Sequence, residues 1–364
     1  MPIFNSFCPF ISYFQQRIYR FCQNFIIGLA DFVESIKHEK ELAIDTEFKR
    51  TSTYSPILCL IQIATKSKAA CIDAISIKNL VPLFEKLYQD DTLWIVHSAR
   101  QDIEALYCLS NKIPKQLFDT QIAASLLNFP IQISYQELTA ELLDVHLEKA
   151  YTRLDWTTRP LPIKAIEYAL DDVIYLIKNY YKLNDKLAIE NKVEWVKEDS
   201  KELLNSSLYE MPIDQAWKKV KGIFRLPKQA QNKVAALSAF REHKAKNKNK
   251  PRKWILSDDQ LIRCALGKEK LSQNNEKQFK SFITNHPEIN NVIIPVKQSN
   301  PPTEIEKQQK IQLQKLIKQK ATKYNLPLEV IATNKSLLNY IRGDNSVSFC
   351  KGWRYKLLKK ELEC

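Results

Sequence analysis

A chain of 364 residues, 45% hydrophobic and 26% charged, has the length of two or three globular domains. Five glycines without a GxGxxG or GxxxxGKS/T motif exclude a glycine-built phosphate cradle, and eight cysteines without CxxC spacing exclude a zinc site and a disulfide framework and indicate a reducing, cytoplasmic compartment. The net charge of +14 is uneven: residues 1–200 carry 22 Lys+Arg against 26 Asp+Glu, whereas residues 201–364 carry 33 against 15, the electrostatics of a phosphate-gripping surface or of a lysine-rich solvated one.

Residues 1–20 are aromatic-rich but lack the basic segment and small-residue cleavage site of a secretory signal, and read as an N-terminal extension. No 18-residue apolar run follows, so no membrane span is expected. Over residues 41–74 three short apolar runs, ELAIDTEF, PILCLIQIA and AACIDAI, predict strands. A helix over 79–89, the strand LWIVH at 93–97 and a helix over 102–109 follow. Phe118 and Asp119 suit a short strand before the helix QIAASLL, and helices over 135–143 and 162–187 close the region. Strands in a meander and then alternating with helices predict a mixed α/β sheet with flanking helices, over residues 21–205.

Beyond residue 205 helical patterns take over. Val234, Leu237 and Phe240 recur at i+3, and Ser257 with Gln260 forms a capping-box sequence. Pro295, Pro301 and Pro302 mark a linker over 291–304. Two small all-α parts are therefore expected, at 210–290 and 305–364.

The informative chemistry begins at Asp45-Thr46-Glu47, which ends an apolar strand. Period-2 alternation puts Asp45 and Glu47 on one side, where two carboxylates repel unless a cation sits between them. Hard divalent ions such as Mg2+ or Mn2+ take such oxygens. Asp102 falls in the first turn of a helix after the second buried strand, and Tyr168 and Asp172 project together at i and i+4 of a long helix. Each element alone is commonplace: strand-end acids are often just solvated, and an acid in a first turn often serves the helix dipole.

In this order and spacing the segments DTEFKRTSTYSPILCLIQIA, IVHSARQDIEAL, LFDTQIAASLL, LDWTTRPL and EYALDDVIYL resemble the DEDD exonuclease superfamily, in its tyrosine-containing branch, and within it ribonuclease D. The resemblance implies a ribonuclease H-like sheet domain followed by two HRDC-type helical domains. It also implies a 3′→5′ exoribonuclease that releases 5′-mononucleotides by a two-metal-ion mechanism, with Asp45, Glu47, Asp102 and Asp172 as metal-binding acids. Tyr168 matches the residue that orients the attacking water; Asp171 rivals Asp172, but the motif spacing favours Asp172. Ala99 stands where relatives often have Gly. The implied substrate is RNA with a free 3′ end, the implied task the trimming of tRNA precursors, and the chain is expected to act as a monomer without an obligate protein partner.

Substrate contacts are less sharply marked. Arg153, Trp156 and Arg159 lie in a polar stretch before the Tyr168 helix, where they could grip phosphate and stack a base or simply pack. Lys248, Lys250, Arg252 and Lys253 form a basic run that ends at Trp254, a mix suited to nucleic acid. A second basic cluster surrounds Trp353: Lys351, Arg354, Lys356, Lys359 and Lys360. Asp119 suits a helix N-cap as well as a helper of the site, and His97 reads as structural. Two other functions share these features: a single-stranded DNA 3′→5′ exonuclease, and a non-catalytic RNA-binding protein.

Overall fold

The structure, a computed structural model, describes residues 29–148, 150–151, 153–295 and 300–362. The extension expected over residues 1–20 lies outside them. The described chain divides into two compact units, one of residues up to 48 with 58–204 and 302–364, the other of residues 49–57 with 205–301.

The first unit is built on a five-stranded sheet: β1 (Glu41–Lys49), β2 (Ile57–Ala64), β3 (Ala69–Asp73), β4 (Leu93–Val96) and β5 (Gln116–Asp119), in the order β3-β2-β1-β4-β5. β1 runs parallel to β4 with Leu42 opposite Trp94, β4 runs parallel to β5, and β2 and β3 pair antiparallel. Every residue of β2 after Ile57 is buried, as a strand covered on both faces requires.

Helices α1 (Leu29–Ser35), α2 (Val81–Leu87), α3 (Arg100–Ser110), α4 (Thr120–Leu126), α5 (Tyr135–Leu143), α6 (Ile163–Ile189) and α7 (Val193–Lys201) surround the sheet. α5 opens on a capping box in which Ser134 and Glu137 satisfy each other's backbone N–H. α6 buries Ala165, Ala169, Val173, Leu176, Tyr180, Leu183 and Leu187, an i+3/i+4 stripe that lies against β3 and β4. α7 lies against β5 and α4.

Residues 302–364 belong to this same unit. They form α12 (Glu304–Tyr324), α13 (Leu328–Ile331), α14 (Asn334–Ile341) and α15 (Gly352–Leu362). The start of α15 docks on α7. Trp353, 2% exposed, stacks on Trp195 with centroids 4.3 Å apart and planes 5° from parallel. Its indole N–H donates to Asp199 at 3.0 Å, and its backbone N–H donates to Glu198 at 2.9 Å. Gly352 suits this position: its φ is +54°, and a Cβ would stand 1.2 Å from the Glu198 Oε1 that receives the Trp353 N–H, so that carboxylate would have to move. Arg354 forks onto both Asp199 oxygens at 2.5 and 2.9 Å. Trp353 and Arg354, from the basic cluster near the C-terminus, are therefore held by contacts within the fold.

The second unit packs α8 (Lys228–Asn247), α9 (Arg252–Ile255), α10 (Asp258–Ala265) and α11 (Gln273–Asn285) around Trp217, Val234, Leu237, Phe240, Leu261 and Phe282. The capping box expected at Ser257 and Gln260 forms. This unit takes in residues 49–57, the connection from β1 to β2. Tyr54 donates its hydroxyl to Glu242 at 2.5 Å, and Asn249 accepts the backbone N–H groups of Tyr54 and Ser55.

Candidate active site

Asp45 and Glu47 are placed by β1. Leu42, Ala43 and Ile44 are fully buried and anchor the strand, leaving Asp45 half-buried at its middle and Glu47 half-buried two residues further on. Asp172 arrives from α6, one turn beyond Tyr168. Carboxylate oxygens of Asp45, Glu47 and Asp172 all lie within 4.8 Å of one another. Asp171 is not part of this group; its backbone carbonyl instead accepts the Tyr135 hydroxyl at 2.8 Å.

Asp102 sits in the first turn of α3, only 6% exposed. It lies outside the trio, yet its charge acts on all three members. The turn that delivers it is pinned by Asp119, whose carboxylate accepts the N–H groups of Ser98 at 3.1 Å and Ala99 at 2.9 Å. The same carboxylate caps α4 by accepting from Gln121 at 2.8 Å. Ser98 has a left-handed φ of +61°, a strained turn that those bonds hold in place. His97 bridges the Thr120 hydroxyl and the Ile133 carbonyl, a structural role.

The electrostatics are those of uncompensated negative charge. Burial and then the charges of Asp172 and Asp102 push Glu47 up to about 8. Burial, followed by Asp102, Asp172 and Glu47, raises Asp45 well above the usual carboxylate range. Burial lifts Asp172 to about 7, with Asp171 and Asp102 adding to it. Burial also lifts Asp102 to about 7, against hydrogen bonds from Thr46 that pull it down. Burial and Asp172 hold the Tyr168 phenol well above its ordinary value, so it keeps its proton at neutral pH.

Every charge acting on Asp45 and Glu47 is another acid. A converging set of hard oxygens on which, among the described residues, the charges named are all acidic fits a divalent metal, and does not fit a thiophilic one.

Sequence reasoning missed two neighbours of this cluster. Thr46, buried between the two acids of β1, donates to Asp102 at 2.6 Å. Tyr151 sets its ring 5.8 Å from that of Tyr168. The only sequence signal for Thr46 was its alternation with Asp45 and Glu47; Tyr151 carried none.

Several expected substrate residues have other occupations. Trp156 is 4% exposed within the core, which leaves no ring face for a base. Arg159 is committed to Asp73 at 2.6 and 2.7 Å and to the carbonyls of Cys59 and Trp156, tying its loop to β2 and β3. Arg252 pairs with Glu242 at 2.6 Å and lies over the Tyr54 ring. In the structure Trp156 packs in the core, and Arg159 and Arg252 are engaged in ion pairs. Arg153, Lys248, Lys250 and Lys253 are exposed, and Trp254 is 62% exposed with the Lys250 ammonium 5.6 Å from its ring centroid.

A family model described as a 3′-5′ exonuclease matches residues 26–188. Ribonuclease D of Bartonella henselae is 32% identical over 348 residues, covering 90% of this chain and 86% of that protein. Ribonuclease D of Sphingobium indicum is 37% identical over 239 residues, 65% of this chain and 61% of that protein. Among solved structures, Escherichia coli RNase D, an exoribonuclease involved in structured RNA processing, shares the fold with a TM-score of 0.76 at 22% identity, covering 92% of this chain and 95% of that one.

Proposed function

The chain belongs to the ribonuclease D family of 3′→5′ exoribonucleases, and from that premise we propose that it trims the 3′ ends of tRNA precursors with two divalent ions, Mg2+ or Mn2+, releasing 5′-mononucleotides. The observation that carries this reading is the convergence of Asp45, Glu47 and Asp172 within 4.8 Å, with Asp102 close enough to act on each.

When bound, the ions supply activation of water and neutralisation of the leaving 3′-oxyanion. Asp45, Glu47, Asp102 and Asp172 would hold them; in the metal-free chain burial, and after it the neighbouring acids, favours their protonated forms. Tyr168 stays protonated and so cannot serve as the base. Its hydroxyl, within hydrogen-bonding reach of Asp172, instead orients the attacking water. Exposed Arg153, Lys248, Lys250 and Lys253 engage phosphates, and Trp254 offers a face on which a base stacks.

No described helix is long and apolar enough to cross a membrane. Eight cysteines without CxxC spacing fit a reducing, cytoplasmic setting, where a monomer suffices because all four acids and Tyr168 come from one chain.

The test is a 3′-extended tRNA precursor incubated with and without Mg2+, with products resolved by length, beside Asp45→Ala and a matched 3′-tailed DNA. A one-nucleotide ladder that needs Mg2+ and Asp45 and stops near the mature end is expected. Faster degradation of the DNA would overturn the substrate assignment, and trimming by Asp45→Ala would overturn the metal assignment.

A further inference from the structure

Asp102 is the one acid of the four that stands in the first turn of its helix, just after the left-handed turn at Ser98. An aspartate's terminal torsion is broad, so its carboxylate is oriented by what hydrogen-bonds to it and not by a rotamer well. Thr46 Oγ1 donates to Asp102 Oδ1 at 2.6 Å, with the threonine 5% and the aspartate 6% exposed. The Thr46 backbone N–H lies within hydrogen-bonding reach of the same carboxylate. A hydroxyl has a single proton to give, and here it goes to the acid. Valine would suit the strand as well and would bury without desolvating a hydroxyl, so a threonine in this buried position is explained by that bond.

The arrangement follows from the strand itself. Asp45 and Glu47 share one side of β1, and the residue between them reaches the acid that comes from α3. One tripeptide thus supplies two of the carboxylates and orients a third. We propose that Thr46 is a positioning residue that fixes Asp102 for divalent-cation binding. This rests on the metal site proposed above and adds to it a residue that acts through Asp102. Loss of a hydrogen-bonding partner behind a metal ligand lowers metal affinity on the order of 10–100-fold.

The experiment titrates Mn2+ into the full-length chain by calorimetry, with melting temperature against Mn2+ concentration as a second readout. It compares wild type, Thr46→Val, Thr46→Ser and Asp102→Ala. Thr92→Val is the control for losing a buried threonine hydroxyl; Thr92 is fully buried and donates to the Lys86 carbonyl at 3.2 Å, just before the opposite end of β4. Thr46→Val should bind Mn2+ about 10–100-fold more weakly, with Thr46→Ser close to wild type and Thr92→Val unchanged. Thr46→Ala carries the same comparison if the valine methyl cannot be housed beside the carboxylate. Wild-type affinity in Thr46→Val and Thr46→Ala, with weak binding in Asp102→Ala, overturns the role of Thr46 and leaves the metal site standing. Wild-type affinity in Asp102→Ala as well overturns the assignment of Asp102 as a metal ligand and Thr46 with it.

Discussion

Arg354→Ala separates two accounts of the same basic, aromatic segment. In the structure the guanidinium makes a two-pronged ion pair with Asp199 at 2.5 and 2.9 Å, and its Nε donates to the Val330 carbonyl at 2.7 Å. It lies 4.4 Å from the centroid of the Trp353 ring. The two side chains are only 16% and 12% exposed, so solvent screens the pair weakly. Truncation leaves Asp199 with only the Trp353 indole N–H among the bonds described above, and orphans the Val330 carbonyl. Breaking one side of a buried pair costs about 3–5 kcal/mol. The exposed Lys197–Glu194 pair, at 63% and 78% exposure, gives the contrast: Lys197→Ala should cost about 0–1 kcal/mol. Urea unfolding followed by tryptophan fluorescence reads both, since Trp195 and Trp353 report directly on the contact. RNA binding measured across salt concentration adds the second arm. A phosphate-contacting arginine would lower the salt slope by roughly 1, whereas a buried structural one leaves it unchanged. Equal urea midpoints for Arg354→Ala and Lys197→Ala, or a reduced salt slope in Arg354→Ala, refute the structural account.

Four further outcomes follow from the site. The metal-free folded chain holds protons on Asp102 and Asp172 up to about pH 7 and on Glu47 up to about 8, whereas unfolded carboxyls release theirs near pH ~4. The folded state therefore binds more protons in that window, so metal-free stability should fall as pH rises from about 4 to about 8, as urea midpoints in EDTA would show. Asp45→Asn should abolish Mg2+-dependent trimming while raising the neutral-pH urea midpoint of the metal-free chain, and an unchanged midpoint contradicts the repulsion argument. Tyr168→Phe should lower kcat about 10–100-fold, the worth of one hydrogen bond to a charged or polarised group, with KM for a 3′-tailed RNA little changed. Asp119→Ala should cost about 3 kcal/mol or more, from a lost N-cap and two orphaned N–H groups at Ser98 and Ala99; Asp119→Asn, which keeps one acceptor oxygen, should cost less in the same unfolding assay.

The parts of the fold that were legible in the sequence are those encoded over a few residues. β1 and β4 announce themselves as apolar runs ended by polar residues, and α6 as a long stripe at i+3/i+4 spacing. What stayed hidden depends on partners far along the chain. Arg159 finds Asp73 across 86 positions, Arg354 finds Asp199 across 155, and Tyr54 finds Glu242 across 188. A tryptophan and an arginine among lysines have one composition whether they face RNA or stack on Trp195. Residues 302–364 group with the unit that holds the sheet, and the sequence hides this because the linker prolines are local whereas the Trp195–Trp353 contact with α7 is not. Likewise the β1–β2 connection reads as an ordinary turn and yet belongs to the helical unit, through Tyr54 and Asn249.

The site was legible for a different reason. Asp45 and Glu47 alone would be two strand-end acids relieved by solvent, and the same is true of Asp172 at a helix surface. Bringing Asp172 within 4.8 Å of both from α6 converts them into a cluster in which the leading charges on Asp45 and Glu47, among the described residues, are other acids. Each half is a local motif, and the rigid, buried run of Leu42–Ile44 on one side and the Ala165–Ala169–Val173 stripe on the other fix the distance between them. Such crowding lowers the stability of the metal-free fold, so it persists only where a scaffold over-determines it and a bound cation offsets it. Asp102 is the exception in kind: its helix turn is held by Asp119 and its carboxylate by Thr46, residues whose partners lie 20 and 56 positions away. The acid whose position was least specified by local sequence is thus the one that the fold surrounds with dedicated hydrogen bonds.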